Sequence, residues 1–149
     1  MNELRQKALA LLARREHTRA ELARKLAPYG TKDEINAVIA NLQSANLQSD
    51  ARFAEAYLRS QARRLGPARL RQSLKQKGVD ADTVTEQMET ADLPDELQQA
   101  REIWTRKFGT APGDAKEWGK QARFLQARGF SSSVIRRLLK APNANGGEE

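Results

Sequence analysis

Cysteine is absent from the 149 residues, which excludes disulfides, thiolate metal sites and a cysteine nucleophile. Histidine occurs once, as His17, so no histidine metal cluster can be built. Aromatic residues make up only 5% of the chain, which leaves the core to Leu, Ile, Val and Ala. No apolar run approaches the ~18 residues that a membrane span needs. The segment from Met1 to Leu12 interleaves Glu3, Arg5, Gln6 and Lys7 with its leucines, unlike a signal peptide; a cytoplasmic protein is expected. There is no glycine-rich phosphate loop of either standard type. The acid pairs Asp33–Glu34 and Asp80/Asp82 fall at helix starts, where negative charge complements the macrodipole, and read as caps rather than as acid–base couples. His17 reads as a helix-boundary residue. No catalytic residue, cofactor or metal site is expected, and the chain is not read as an enzyme.

What the sequence does have is positive charge: 26 Lys and Arg against 19 Asp and Glu, a net +7. Such a balance favours polyanions or acidic protein surfaces as partners. At 39% hydrophobic and 30% charged, the chain can fold while keeping a heavily solvated surface.

Apolar spacing is helical almost throughout. Leu4, Ala8, Leu11 and Leu12 share a face. Thr18 to Glu21 and Thr31 to Glu34 are capping boxes; the first opens a helix bearing Leu22 and Leu26 that stops near Pro28 and Gly30. The second opens one bearing Ile35, Val38, Ile39 and Leu42. A new unit starts near Ser49 with a stripe of Phe53, Ala54, Tyr57, Leu58 and Leu65. Gly66-Pro67 ends that helix and starts the next, which carries Leu70 and Leu74 to Gly78. Val84 and Met88 belong to a third. After a linker at Ala91 to Asp95, Leu97, Ala100, Trp104 and Phe108 form a stripe. Asp114 caps a helix bearing Trp118, Ala122 and Leu125 that stops at Gly129. Ser131 or Ser132 caps the last, with Val134, Ile135, Leu138 and Leu139 inward. Residues 141–149 read as a disordered tail.

Aligning the stops exposes a repeat: Leu22-x-x-x-Leu26-x-x-x-Gly30, Leu70-x-x-x-Leu74-x-x-x-Gly78, and Gln121-x-x-x-Leu125-x-x-x-Gly129, with only Gln121 polar among the leading positions. The expected fold is therefore all-α, with three tandem three-helix repeats at 1–47, 48–93 and 94–140. Units of ~50 residues bury little surface alone, so stacking into an elongated, curved body is expected.

The run Ser49-Asp50-Ala51-Arg52-Phe53-Ala54-Glu55-Ala56-Tyr57, then Arg63-Arg64-Leu65-Gly66-Pro67-Ala68-Arg69-Leu70 and Leu74-Lys75-Gln76-Lys77-Gly78-Val79, resembles the hallmark of the RecX family of bacterial regulators. Arg15 to Gly30 and Arg123 to Ser131 resemble it more weakly. The resemblance spans about residues 4 to 140. It implies a modulator that binds the RecA nucleoprotein filament on single-stranded DNA, in its helical groove, and restrains strand exchange, ATP hydrolysis and repressor cleavage in recombination, repair and the SOS response; a monomer is the simpler expectation, which the sequence does not decide. Some members also bind DNA directly. The family often carries a second acid beside the position of Asp50, where this chain has Ser49; Ser49 can replace it as a helix cap.

The partner or DNA contact is expected on the basic stretch from Arg52 to Lys77. Arg52, Arg59, Arg63, Arg64, Arg69, Arg71, Lys75 and Lys77 meet a single acid there, Glu55. Arginine predominates, and its guanidinium grips phosphate or carboxylate through two bonds at once. Arg71 and Lys75 are spaced to share a helix face, and so are Arg59 and Arg63. The aromatics fall on apolar stripes and read as core rather than base-stacking platforms. Two other functions fit the composition: a direct single- or double-stranded DNA binder using one trihelical unit like a helix-turn-helix, and an inert helical adaptor.

Overall fold

A computed structural model describes residues 2–140, and the 141–149 tail lies outside the described residues. Among those described, the chain forms nine α-helices and one 3₁₀ turn: α1 (Asn2–Arg14), α2 (Arg19–Leu26), the turn Ala27–Tyr29, α3 (Lys32–Ser44), α4 (Asp50–Gln61), α5 (Pro67–Gln76), α6 (Ala81–Thr90), α7 (Glu96–Lys107), α8 (Ala115–Ala127) and α9 (Ser132–Leu139). The all-helical expectation holds.

Side-chain caps start most of these helices. The Thr18 and Thr31 hydroxyls accept from the Glu21 and Glu34 amides, and each glutamate reaches back to its cap residue's own N–H. Asp80, Asp95, Asp114 and Ser131 cap α6, α7, α8 and α9 in the same sense. Ser49 takes the Arg52 amide at 3.1 Å, as a cap of α4 must.

The chain gathers into two compact units. Among the described residues, one holds the chain up to Arg59 and Ser73–Ala91, the other Ser60–Gln72 and the chain from Asp92; α4 and α5 thus contribute to both. In the first unit, Leu4 and Ala8 of α1, Leu22 and Leu26 of α2, and Ile35, Val38, Ile39 and Leu42 of α3 form one core. In the second, Ala100, Ile103, Leu125, Phe130, Val134, Ile135 and Leu139 form another. Burial of the Leu, Ile, Val and Phe side chains among these, at roughly 1.5–3 kcal/mol each, is the main force holding the short helices.

Four details depart from the sequence reading. Helix α4 ends at Gln61, and Leu65 and Arg63 lie beyond it in a turn closed by the Arg64 and Leu65 amides on the Gln61 carbonyl. Arg59 and Arg63 are therefore not neighbours on one helix face. Phe108 is the C-cap of α7 rather than part of its stripe, and Ile103 is the buried residue instead. The glycine stops are also not equivalent. Gly78 and Gly129 have φ of 101° and 102°. Each ends its helix in a Schellman motif: Val79 N–H reaches the Leu74 carbonyl and Phe130 N–H the Leu125 carbonyl. Gly30, by contrast, is extended and follows the 3₁₀ turn.

Finally, Gln121, the polar exception in the repeat, is fully buried. Its Oε1 accepts from Trp104 Nε1 at 2.7 Å, and its Nε2 donates to the Thr110 carbonyl and to Glu117 Oε2. The third copy has exchanged a leucine for an amide that satisfies an indole N–H and a loop carbonyl.

Candidate partner interface

In the first unit, the C-terminal end of α5 abuts the N-terminal end of α2. The Thr18 hydroxyl donates to the Lys77 carbonyl at 2.6 Å, and a Cβ on Gly78 would stand 2.5 Å from the Ala20 Cβ. Asp50 braces the same end of α2, its Oδ1 accepting the Arg19 amide at 2.8 Å and Gln48 Nε2 at 3.0 Å. The second unit repeats the arrangement with other partners. The Gly66 and Ala68 amides at the start of α5 donate to the Arg128 and Gly129 carbonyls at the end of α8. In both places a carbonyl-rich helix end meets a helix start and opposite dipole ends align; in the second unit backbone N–H groups satisfy the carbonyls, whereas in the first the Thr18 hydroxyl does. Asp50 of the middle motif thus ties the start of α4 to the start of α2, while Ser49 caps α4 itself.

The eight basic residues divide according to this framework. In the first unit, Arg52 Nε donates to Glu16 Oε2 at 2.7 Å, so its charge is matched within the molecule. Arg59 lies 3.7 Å from Glu55, both well exposed, a pairing worth little in water. Lys77 is half-buried, its ammonium 5.9 Å from the Tyr57 ring centroid. Lys75 is exposed. In the second unit, Arg69 spends a guanidinium N–H on the Ala127 carbonyl at 2.9 Å. Arg71 is exposed. Arg63 and Arg64 border an open cleft of about 600 Å³ with Arg106, facing Asp95, Glu102, Gln98 and Gln99.

No ion pair is present for Arg63, Arg64, Arg71 or Lys75 among the described residues. These four remain available to an external anion, whereas Arg52 and Arg69 serve the fold. Arg106, which the sequence reading did not select, joins the two cleft arginines only through the folding of α7. Its signal in the sequence was an isolated basic residue, indistinguishable from any solvated one.

His17 is likewise more than a boundary residue. It is 1% exposed, its Nδ1 sits 3.0 Å from the Arg15 carbonyl, and its Nε2 3.3 Å from Lys25 Nζ. Burial, together with the Arg15 and Lys25 charges, holds its pKa below the ordinary histidine value; the hydrogen bond from Nδ1 to Arg15 and the Glu21 charge pull the other way without prevailing. The neutral ring therefore carries its proton on Nδ1 and accepts at Nε2. Glu21 is also buried. Burial alone would raise its pKa, but the Thr18 amide and the Arg15 guanidinium outweigh that and lower it.

Among the described residues, no helix is long and apolar enough to cross a membrane, and no cluster of three metal-ligating side chains occurs.

The architecture defines a class: an all-helical protein whose helices come in consecutive three-helix groups. Family models described as the first, second and third three-helix domains of RecX match residues 5–42, 49–88 and 94–139. The regulatory protein RecX of Leptothrix cholodnii is 49% identical over 138 residues, covering 92% of this chain and 87% of the relative. That of Chromobacterium violaceum is 46% identical over 137 residues, covering 91% and 88%. The fold is similar to that in the crystal structure of RecX from Lactobacillus salivarius, with a TM-score of 0.76 at 21% identity over 95% of this chain and 96% of that one. The chain belongs to the RecX family, a family of regulatory proteins rather than enzymes.

Proposed function

We propose that this protein binds the RecA filament assembled on single-stranded DNA and restrains it, lowering its ATP hydrolysis, strand exchange and repressor-cleavage activities. One observation carries the reading: all three RecX domain models match in order along the chain. The working units on this reading are the three-helix domains at 1–47, 48–93 and 94–140, acting as a cytoplasmic monomer.

The contact is assigned to the exposed cations that have no ion pair among the described residues, Arg63, Arg64, Arg71 and Lys75. They would meet acidic RecA surface or the phosphates of the filament DNA. Regulation follows from differential affinity: a protein that binds one filament state better than another shifts the population toward it. Several domains in one chain gain avidity from the repeating filament and so favour it over free RecA.

The test is ATP hydrolysis by RecA on single-stranded DNA, titrated with this protein, with filament lifetime followed in parallel. The rate should fall with titrant. Unchanged rate and lifetime at saturation would sink the proposal. Equal binding to naked DNA, weakening steeply with salt, would instead favour direct DNA binding.

A further inference from the structure

Within the first unit, the last turn of α1, the link after it and the last turn of α2 border a small open pocket of about 300 Å³ lined by Leu11, Arg14, Arg15, His17 and Lys25. Its polar lining consists of cations and one imidazole. The nearby carboxylates are already engaged: Glu21 accepts from Arg15 at 3.2 Å, and Glu16 from Arg52 at 2.7 Å. Arg14 and Lys25 have no ion pair among the described residues. Like charges drawn around a cavity repel one another unless an anion enters. The C-terminal carbonyls of α1 attract Arg14, but they do not account for Lys25 reaching to within 3.3 Å of a buried imidazole.

We propose that this pocket is a binding site for a terminal phosphoryl group, held by Arg14 and Lys25 at the mouth and by Nε2 of His17 at the floor. The volume suits a phosphate with part of the molecule that bears it. This site is separate from the basic residues assigned to RecA, so the two readings stand or fall independently.

His17 supplies a signature. In the structure, Nδ1–H donates to the Arg15 carbonyl and Nε2 accepts from Lys25. The charges facing the ring are Arg15 and Lys25, which disfavour its protonation, and Glu21, which favours it. A dianion placed between Lys25 and the ring reverses that field: Lys25 turns to the phosphate, and Nε2 takes a proton and donates it as a second hydrogen bond. Binding therefore takes up a proton and tightens as the pH falls toward the histidine range.

Because His17 is the sole histidine, its ring protons give one unambiguous resonance in the full-length protein. Its titration is to be followed by NMR in inorganic phosphate and in chloride of equal ionic strength. It is then repeated with a 5′-phosphorylated dinucleotide and with the same dinucleotide lacking the terminal phosphate. Phosphate should raise the His17 midpoint by roughly one pH unit, a tenfold preference for the protonated form. The phosphorylated dinucleotide should do the same if the ligand is a nucleotide end; a shift with inorganic phosphate alone identifies free phosphate. Lys25→Gln, an exposed change that leaves the fold intact, should abolish the shift, whereas Lys107→Gln in the other unit should not. Equal midpoints in phosphate and chloride, a shift with the unphosphorylated dinucleotide, or a shift that survives in Lys25→Gln would each overturn the assignment.

Discussion

The Thr18 hydroxyl does two things at once: it accepts the Glu21 amide at 3.0 Å and donates to the Lys77 carbonyl at 2.6 Å. Thr31 caps α3 through the same box, its hydroxyl accepting the Glu34 amide at 3.1 Å and its own N–H donating to Glu34 Oε1 at 2.9 Å. Thr18→Ala should therefore cost about 2–3 kcal/mol, combining a lost cap with an unpaired carbonyl. Thr31→Ala should cost only about 1 kcal/mol, and Thr18→Ser should recover most of the difference. Urea unfolding midpoints at constant slope would read this directly.

Gly129 combines a left-handed φ with contact. An added Cβ would lie 2.4 Å from the Arg69 Cβ and 2.6 Å from its backbone nitrogen. Gly129→Ala should destabilise by more than about 2 kcal/mol, the sum of backbone strain and overpacking. Gly113→Ala, where nothing lies within 4 Å, should be close to neutral. At the other junction, Ala20→Gly should relieve the steric part of Gly78→Ala but not its φ strain. Thermal unfolding of the double variant against both single variants measures that coupling.

Restoring the repeat at position 121 should harm the protein. Gln121→Leu removes the acceptor of the Trp104 indole and the donor to the Thr110 carbonyl. Leaving such groups unpaired costs about 1–3 kcal/mol. A variant as stable as the parent would show that water replaces the amide without loss.

The pH dependence has a definite sign. The pKa of His17 is lowered in the folded state, so the unfolded chain binds the extra proton first. The stability tied to its neutral ring is fully present above the ordinary value of 6.5 and is lost as the pH falls from there through the lowered folded value. Glu21 and Asp80 are also lowered, from 4.5 and 3.8. Their contributions are present above those values and disappear at lower pH. In His17→Gln, the stability change between pH 7 and 5 should shrink while the carboxylate phase remains.

Charge reversal separates the roles of the basic residues. Arg71→Glu with Lys75→Glu should weaken binding to RecA filaments while changing stability by less than about 0.5 kcal/mol, as exposed substitutions do. Arg69→Glu should lower stability as well, because its guanidinium serves the Ala127 carbonyl at the end of α8. Filament co-sedimentation paired with melting curves distinguishes them.

Much of this was legible locally. Capping boxes, apolar periodicity and glycine stops are short-range chemistry, written within four or five residues, so Thr18, Thr31 and Asp114 are placed by the sequence and the last cap is narrowed to Ser131 or Ser132. The end of α4 was misjudged because Leu65 continues the apolar spacing after the helix has stopped at Gln61. Gln121 looked like a defect in the repeat because its partners, Trp104 and Thr110, come from elsewhere in the chain.

The sequence by itself determined that the chain is helical, where most helices begin, that it can build neither a disulfide nor a histidine cluster, and that its positive charge is concentrated between Arg52 and Lys77. Only the tertiary structure decided which of those cations are spent internally, that Gly30 differs from Gly78 and Gly129, and that His17 closes a basic pocket. The division has a physical cause. Backbone preferences and caps act between near neighbours, whereas the fate of a charge or a buried imidazole depends on which distant carbonyls and carboxylates folding brings within hydrogen-bond reach.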